Sequence, residues 1–248
     1  PLPGSPRFAG SMVDVVETAI SDAGVLVDAG FPALIVENFG DVPFHADEVP
    51  AETVAAMTLA VDGVARSGVP FGVNVLRNDA MAALGIAAAT GASCIRVNIL
   101  TGVMYTDQGA ITGRADEVQR TRASLCPEVE VWADVLVKHA TPPPGLDAAR
   151  AAEDTVERGL ADVVIVSGAG TGAQPDLGVA RSVRAAVPAG TRVAIGSGTT
   201  VDNLDALASV ADTFIVGSHV KVDGNANNRP DPLRAKALVE KAAEKGIL

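Results

Sequence analysis

The chain has 248 residues, 48% of them apolar and only 3% aromatic, with a formal charge of -11. That is the length of one barrel-sized domain, residues 1–248, with an aliphatic core. The charge excludes a general nucleic-acid or anionic-membrane surface, so any anion site is local. The longest uncharged run, between Asp79 and Arg96, carries Gly, Thr and Ser and is too short to span a membrane.

Pro1-Leu2-Pro3-Gly4-Ser5-Pro6 reads as loop, because three prolines fix the backbone and remove donors. Ser11 or Asp14 caps a helix running to Ala29, with Val13, Val16, Ala19, Ile20, Ala23 and Val27 spaced for one buried face. A buried strand 33–38 follows, with polar Glu37 and Asn38 at its end, then a long loop 39–50 and a helix 51–66. Strand 71–76 leads into a helix 79–90, and strand 94–98 into an excursion 99–113, a hairpin turning at Asp107-Gln108-Gly109.

Helix 114–125, strand 129–135, helix 147–159 and strand 162–167 come next, then a loop Gly168-Ala169-Gly170-Thr171-Gly172. Helix 177–187, strand 192–196, helix 201–210, strand 213–217 and a helix from Pro232 to about Lys245 complete the chain. This alternation implies a parallel sheet with right-handed crossovers. Seven strand–helix units preceded by an unpaired helix imply a (β/α)8 TIM barrel whose first strand lies upstream of Pro1. An open doubly wound sheet would carry a Gly-rich fingerprint after its first strand, which is not seen. The two cysteines, Cys94 and Cys126, are expected as reduced thiols in a cytoplasmic protein.

Barrel chemistry sits at the C-terminal ends of the strands. There the sequence places Glu37, Asn38, Asn74, Arg77 and Asn98 with Arg96, then Asp134, Lys138 and His139, with Asp107 on the excursion. Arg96 and Asn98 share a strand face, as do Trp132 and Asp134, and charged groups there point away from the packed helices. Two readings stay open: an Arg96–Asp134 ion pair, or Arg96 gripping a ligand anion while Asp134 works as acid or base. Lys138 is a base, a Schiff-base amine, an anion anchor or a solvated loop residue; His139 is the best placed of the histidines, ahead of His45 and His219.

Gly196-Ser197-Gly198 and Gly217-Ser218 end the strands counted as seven and eight. Strand ends of this kind expose N–H groups at a helix N-terminus, with Thr200 in position to cap, and suit a phosphate. Ser167, Gly170, Thr171 and Gly172 could wrap the same ligand. No metal-binding spacing and no P-loop is present; a divalent ion would draw on scattered Glu37, Asp107 and Asp134, and no cofactor is identified.

Taken together, Pro1–Pro6, Ile35-Val36-Glu37-Asn38-Phe39-Gly40-Asp41, Gly72–Asp79, Ile95-Arg96-Val97-Asn98, Thr106–Gly109, Val137-Lys138-His139-Ala140, Ile195–Gly198 and Ile215–Ser218 resemble the BtpA/SgcQ family across essentially the whole chain. The resemblance implies a barrel similar to the ribulose-phosphate-binding barrels, with a strand ahead of the Pro-Leu-Pro-Gly-Ser-Pro segment. The family takes its name from a factor for photosystem I biogenesis; other members are linked to sugar utilisation, and some are labelled nucleoside triphosphatases. The leading expectation is an enzyme of isomerase, epimerase or lyase type acting on a phosphorylated metabolite, a sugar phosphate or nucleotide derivative. In it Asp134, Lys138, His139 and Glu37 supply acid–base chemistry and Asn38, Asn74, Arg77, Arg96, Asn98, Asp107, Ser167, Gly170, Thr171 and Gly172 bind substrate. The alternative is a biogenesis or stability factor for a membrane complex, associating peripherally through protein partners, or a nucleoside triphosphatase. Apolar helices would also support self-association.

Overall fold

The computed structural model describes residues 1–168 and 170–248. In chain order its principal elements are α1 (Met12–Asp28), β1 (Leu34–Glu37), α2 (Ala51–Ala65), β2 (Phe71–Asn74), α3 (Ala80–Thr90) and β3 (Cys94–Val97). Then come β4 (Val103–Thr106), β5 (Gly109–Thr112), α4 (Ala115–Leu125), β6 (Glu130–Val135) and β7 (Ala140–Thr141). The last part carries α5 (Ala148–Glu153), β8 (Val163–Val166), α6 (Leu177–Ala186), β9 (Arg192–Ile195), α7 (Leu204–Ala208), β10 (Thr213–Phe214) and α8 (Pro232–Glu244). The chain forms two compact units, one of residues 1–98 and 116–131, the other of 99–115 and 132–248.

In the first unit β1, β2 and β3 are parallel, with Glu37 opposite Asn74 and Gly72 opposite Cys94. Strand periodicity puts Ile35, Gly72 and Cys94 in one layer of a face and Glu37, Asn74 and Arg96 in the next. The lower layer is tight: a Cβ on Gly72 would collide with the Cys94 sulfur. The start of β6 belongs here too, Glu130 N donating to Ser93 O at 3.0 Å.

Helix α1 opens with a capping box in which Ser11 Oγ accepts from Asp14 N and Asp14 accepts from Ser11 N. Its spacing predicted a buried face, but within α1 only Ala23 is fully buried, while Val13 and Ile20 are 63% and 43% exposed. The reason is that α1 meets its neighbour on one shoulder, where Val16 and Ile20 pack on Gly63 of α2. Asp79 caps α3, accepting from Ala82 N, and Gly91 ends that helix in the left-handed region.

In the second unit β6, β8, β9 and β10 run parallel, with Asp134 opposite Ile165 and Ile165 opposite Ala194. One face packs on helices: Val135, Val164, Val166, Val193 and Ile195 meet alanines and valines of α5 and α6. The other face holds Val163, Ile165 and Ala194, with Trp132 and Ile215 against them. Such double-sided burial is why these strands are near-continuous runs of Val and Ile.

The excursion is a hairpin, β4 pairing antiparallel with β5 around Asp107-Gln108, as its sequence predicted. The spacing did not reveal β7, a two-residue strand after His139 that pairs Ala140 with Thr106 and Thr141 with Tyr105. Helix 147–159 is instead a six-residue α5 continued by a π-turn Asp154–Arg158, where Thr155 Oγ1 donates to Ala151 O at 2.7 Å. Helix 201–210 shrinks to α7, because Thr200 N and Asn203 Oδ1 close a turn at 2.8 Å that occupies the chain before it. Both cysteines are free and buried.

Candidate functional site

The upper layer of the first unit is polar. Asn74 and Arg96 are 1% and 3% exposed. Asn74 Nδ2 and Arg96 Nη1 both donate to the same oxygen of Glu37, at 2.9 and 3.0 Å. Two donors on Oε1, one of them cationic, orient the carboxylate, with Oε2 left as its acceptor. The Glu37 side chain is 22% exposed, so part of it is open to a ligand. Spacing within the β3 strand did not reveal Glu37, 59 residues earlier in the chain, as an acceptor for the Arg96 guanidinium.

Asn38 sits at the end of β1 and acts as a splice in the ladder. Its Oδ1 accepts from Leu76 N at 2.7 Å, while Nδ2 donates to Leu76 O and to Asp41 Oδ2. Asp41 in turn accepts from Leu2 N, tying the proline-rich start to the loop after β1. Arg77 is 4% exposed, its backbone N–H on His45 O at 3.0 Å, and Asn98 is 2% exposed at the end of β3. Between these loops lies a cavity of about 40 Å³ bordered by Ser5, Asn38, Asp41, His45 and Thr53, room for a water molecule or two.

The second unit brings more of the expected residues together. Asp134, 5% exposed, shares the face of Trp132 and accepts from Ser167 Oγ at 3.2 Å. After β6 the chain turns through left-handed Leu136 and His139, with half-buried Lys138 between them. His139 Nε2 accepts from Thr171 N at 3.2 Å and bonds Thr171 Oγ1 at 3.0 Å, so the imidazole is clasped onto the loop after β8. Asp107 stands at the hairpin tip, and β7 pins the far side of the Lys138–His139 turn to the same hairpin.

The loops after β8, β9 and β10 converge. Gly172 N donates to Ser197 Oγ at 3.0 Å, and Ser197 Oγ faces Gly170 O at 3.5 Å. A Cβ on Gly172 would lie 3.4 Å from Ser218 Oγ, so the third loop arrives at the same place. Gly198 has φ +75°, and a Cβ there would run into the Ala173 carbonyl, which explains glycine at this position. Among the described residues the N–H groups of Ser197, Gly198, Gly217 and Ser218 have no hydrogen-bond acceptor. Such a nest of N–H groups around two serine hydroxyls attracts an anion. Ala169, in the middle of the glycine-rich loop, lies outside the described residues.

Two residues that the sequence left in the background hold this nest in shape. Asn203 Nδ2 donates to Gly198 O at 2.8 Å, a role foreshadowed only by the Thr-x-x-Asn spacing from Thr200. His219 Nε2 accepts from Val201 N at 3.4 Å, joining the β9 and β10 loops, and its own carbonyl accepts from Arg234 Nε. Burial, and then the Arg234 charge, push the His219 imidazole below its ordinary pKa, with Asp202 opposing. No cluster of three His, Cys, Asp or Glu suited to a metal occurs among the described residues. Nor is any helix there long and apolar enough to cross a membrane.

The family model described as BtpA family matches residues 1–244. The photosystem I biogenesis protein BtpA of Synechocystis is 47% identical over 98% of this chain and 85% of its own. An uncharacterised protein of Thermococcus kodakarensis is 48% identical over 98% and 92%. The sgc region protein SgcQ of Escherichia coli is 30% identical over 97% and 90%. Among solved structures, phosphoribosyl anthranilate isomerase from Thermus thermophilus superposes with TM-score 0.59 at 13% identity over 91% of this chain and 94% of that one. Thiamine phosphate pyrophosphorylase from Pyrococcus furiosus gives 0.58 at 14% over 92% and 90%. At such identity these structures share the fold, an α/β TIM barrel, with this chain.

Proposed function

We propose that this chain, which belongs to the BtpA family, is an enzyme that binds a small phosphorylated metabolite and carries out acid–base chemistry of isomerase, epimerase or lyase type. The observation that carries this is the nest in the second unit, where the loops of Gly172, Ser197–Gly198 and Ser218 meet. In this reading Gly196, Ser197, Gly198, Gly217 and Ser218 hold the phosphate, with Gly170, Thr171 and Gly172 closing over it. Asp134 and Lys138 exchange protons with the substrate, Ser167 holding Asp134, and His139 both joins that chemistry and anchors the loop through Thr171. The first unit, taken by itself, carries Glu37 oriented by Asn74 and Arg96, with one carboxylate oxygen able to take a hydroxyl or a proton. Within the second unit Asp107 is assigned to substrate contacts; within the first, Asn38, Arg77 and Asn98 accompany Glu37. A sugar phosphate or a nucleotide derivative suits the groups of the second unit. Relatives in fold that are named for phosphoribosyl anthranilate or thiamine phosphate support that class by analogy alone.

The test is thermal denaturation with ribose 5-phosphate, inorganic phosphate and nucleotides, each organic phosphate paired with its unphosphorylated counterpart. A compound at one hundred times its Kd stabilises by about 2.7 kcal/mol, and about 2–4 °C per kcal/mol applies at this size. The expected rise is therefore about 5–10 °C with phosphorylated compounds and none with their counterparts. No rise with any phosphorylated compound refutes the proposal.

A further inference from the structure

We infer that the groove between α1 and α2 is a docking surface for a basic amphipathic helix of a partner protein. The argument is separate from the anion nest. Ile20 and Val16 of α1 pack on Gly63 of α2, so the two helices are in contact. On the outer side of that contact Val13, Ile20 and Leu59 are 63%, 43% and 56% exposed. They are not scattered: Val13 lies two turns before Ile20 on one stripe of α1, and Leu59 lies one turn before Gly63 on α2. Single exposed apolar residues are ordinary, but an aligned set over a helix–helix groove is what an incoming helix lays its own ridge into.

Charge selects the occupant. Helix α1 carries Asp14, Glu17, Asp22 and Asp28, and α2 carries Glu52 and Asp62, with no Lys or Arg inside either helix. Glu17 falls beside the Val13–Ile20 stripe, and Glu52 lies two turns before Leu59. Arg66, at the α2 cap, is engaged by Asp62 at 2.7 Å. A second copy would set acid against acid across an isologous contact, and an anionic membrane would be repelled. A partner helix with one leucine-rich face flanked by Lys or Arg answers both the apolar stripe and its acidic border.

The experiment measures binding of a labelled amphipathic peptide of about five turns, built from Leu and Lys, to the full chain by fluorescence anisotropy. A Leu/Glu peptide of the same pattern serves as the control. The chain should bind the Leu/Lys peptide, more weakly as salt rises, and leave the Leu/Glu peptide free. Ile20→Ser with Leu59→Gln should weaken binding at least about tenfold. Glu17→Lys, at an exposed position, should weaken it several-fold with the melting temperature of the chain unchanged. Equal binding by all variants overturns the inference, as does a dimer of the wild-type chain that Leu59→Gln abolishes. Neither result touches the phosphate reading, because no variant lies in the nest.

Discussion

Replacing Gly198 by Ala probes the nest where its geometry is least forgiving. The position has φ +75°, and a side chain there costs about 1–2 kcal/mol because an L residue crowds its own carbonyl in the left-handed region. The added methyl also meets the Ala173 carbonyl, a backbone group that cannot rotate aside. Overpacking of this kind costs about 1–3 kcal/mol, for about 2–5 kcal/mol in all. At this chain length that is a fall in Tm of about 4–20 °C. If the loop swings away to relieve the clash, it takes with it the Asn203–Gly198 bond and the contact of Gly172 with Ser197. Phosphate binding then falls as well. Scanning calorimetry with and without ribose 5-phosphate separates the two, and Gly190→Ala, whose Cβ would enter open space, is the matched control. A Gly198→Ala chain that melts and binds like the wild type would refute the geometry on which the nest rests.

Ser197→Ala removes the acceptor of Gly172 N and a hydroxyl that would donate to an anion, the latter a bond of about 1.5–3 kcal/mol; calorimetric titration should show about 10- to 150-fold weaker phosphate binding, with a fall in Tm of about 1–6 °C. Gly85 sits inside α3 with nothing near its missing Cβ. Gly85→Ala should therefore stabilise by about 0.5–1 kcal/mol in urea unfolding, from helix propensity alone. Glu37→Ala strips a buried guanidinium of a carboxylate partner. Loss of one member of a buried pair costs about 3–5 kcal/mol, and because Glu37 is partly exposed the low end is expected in the same urea assay. The depressed pKa of His219 means the unfolded chain takes up its proton first. Its contribution to stability is present above the ordinary histidine value of 6.5 and declines as pH falls below it. The pH dependence of urea midpoints in that window should flatten in His219→Asn.

How much of this was legible in the sequence depends on whether a pattern was local. The strands were, because runs such as Val163-Val164-Ile165-Val166, buried on both faces, have few other readings. The hairpin was, because Gly109 marks its turn. Boundaries set by a side chain bonding to backbone were not. Asn38 ends β1 by replacing the next backbone pair with its amide, and Thr200 with Asn203 removes a turn from α7. The α1 periodicity was real but overstated its burial, since a helix pattern records an apolar stripe and not how wide a partner covers it. For the candidate site, the polar residues at strand ends were readable one strand at a time. That Glu37 Oε1 serves both Asn74 and Arg96 joins three strands, and no spacing within one of them encodes it.

The chain enters each of its compact units twice, since 99–115 belongs with 132–248 and 116–131 with 1–98. Expressing the C-terminal half from Trp132 onward would therefore leave β7 without β4, and the turn carrying Lys138 and His139 without its brace. Complementation between fragments should instead be sought by opening the hairpin tip at Asp107-Gln108, where a break severs no ladder pair. For anyone rebuilding this protein from parts, the joints lie inside the excursion and not at the boundary between strands and helices.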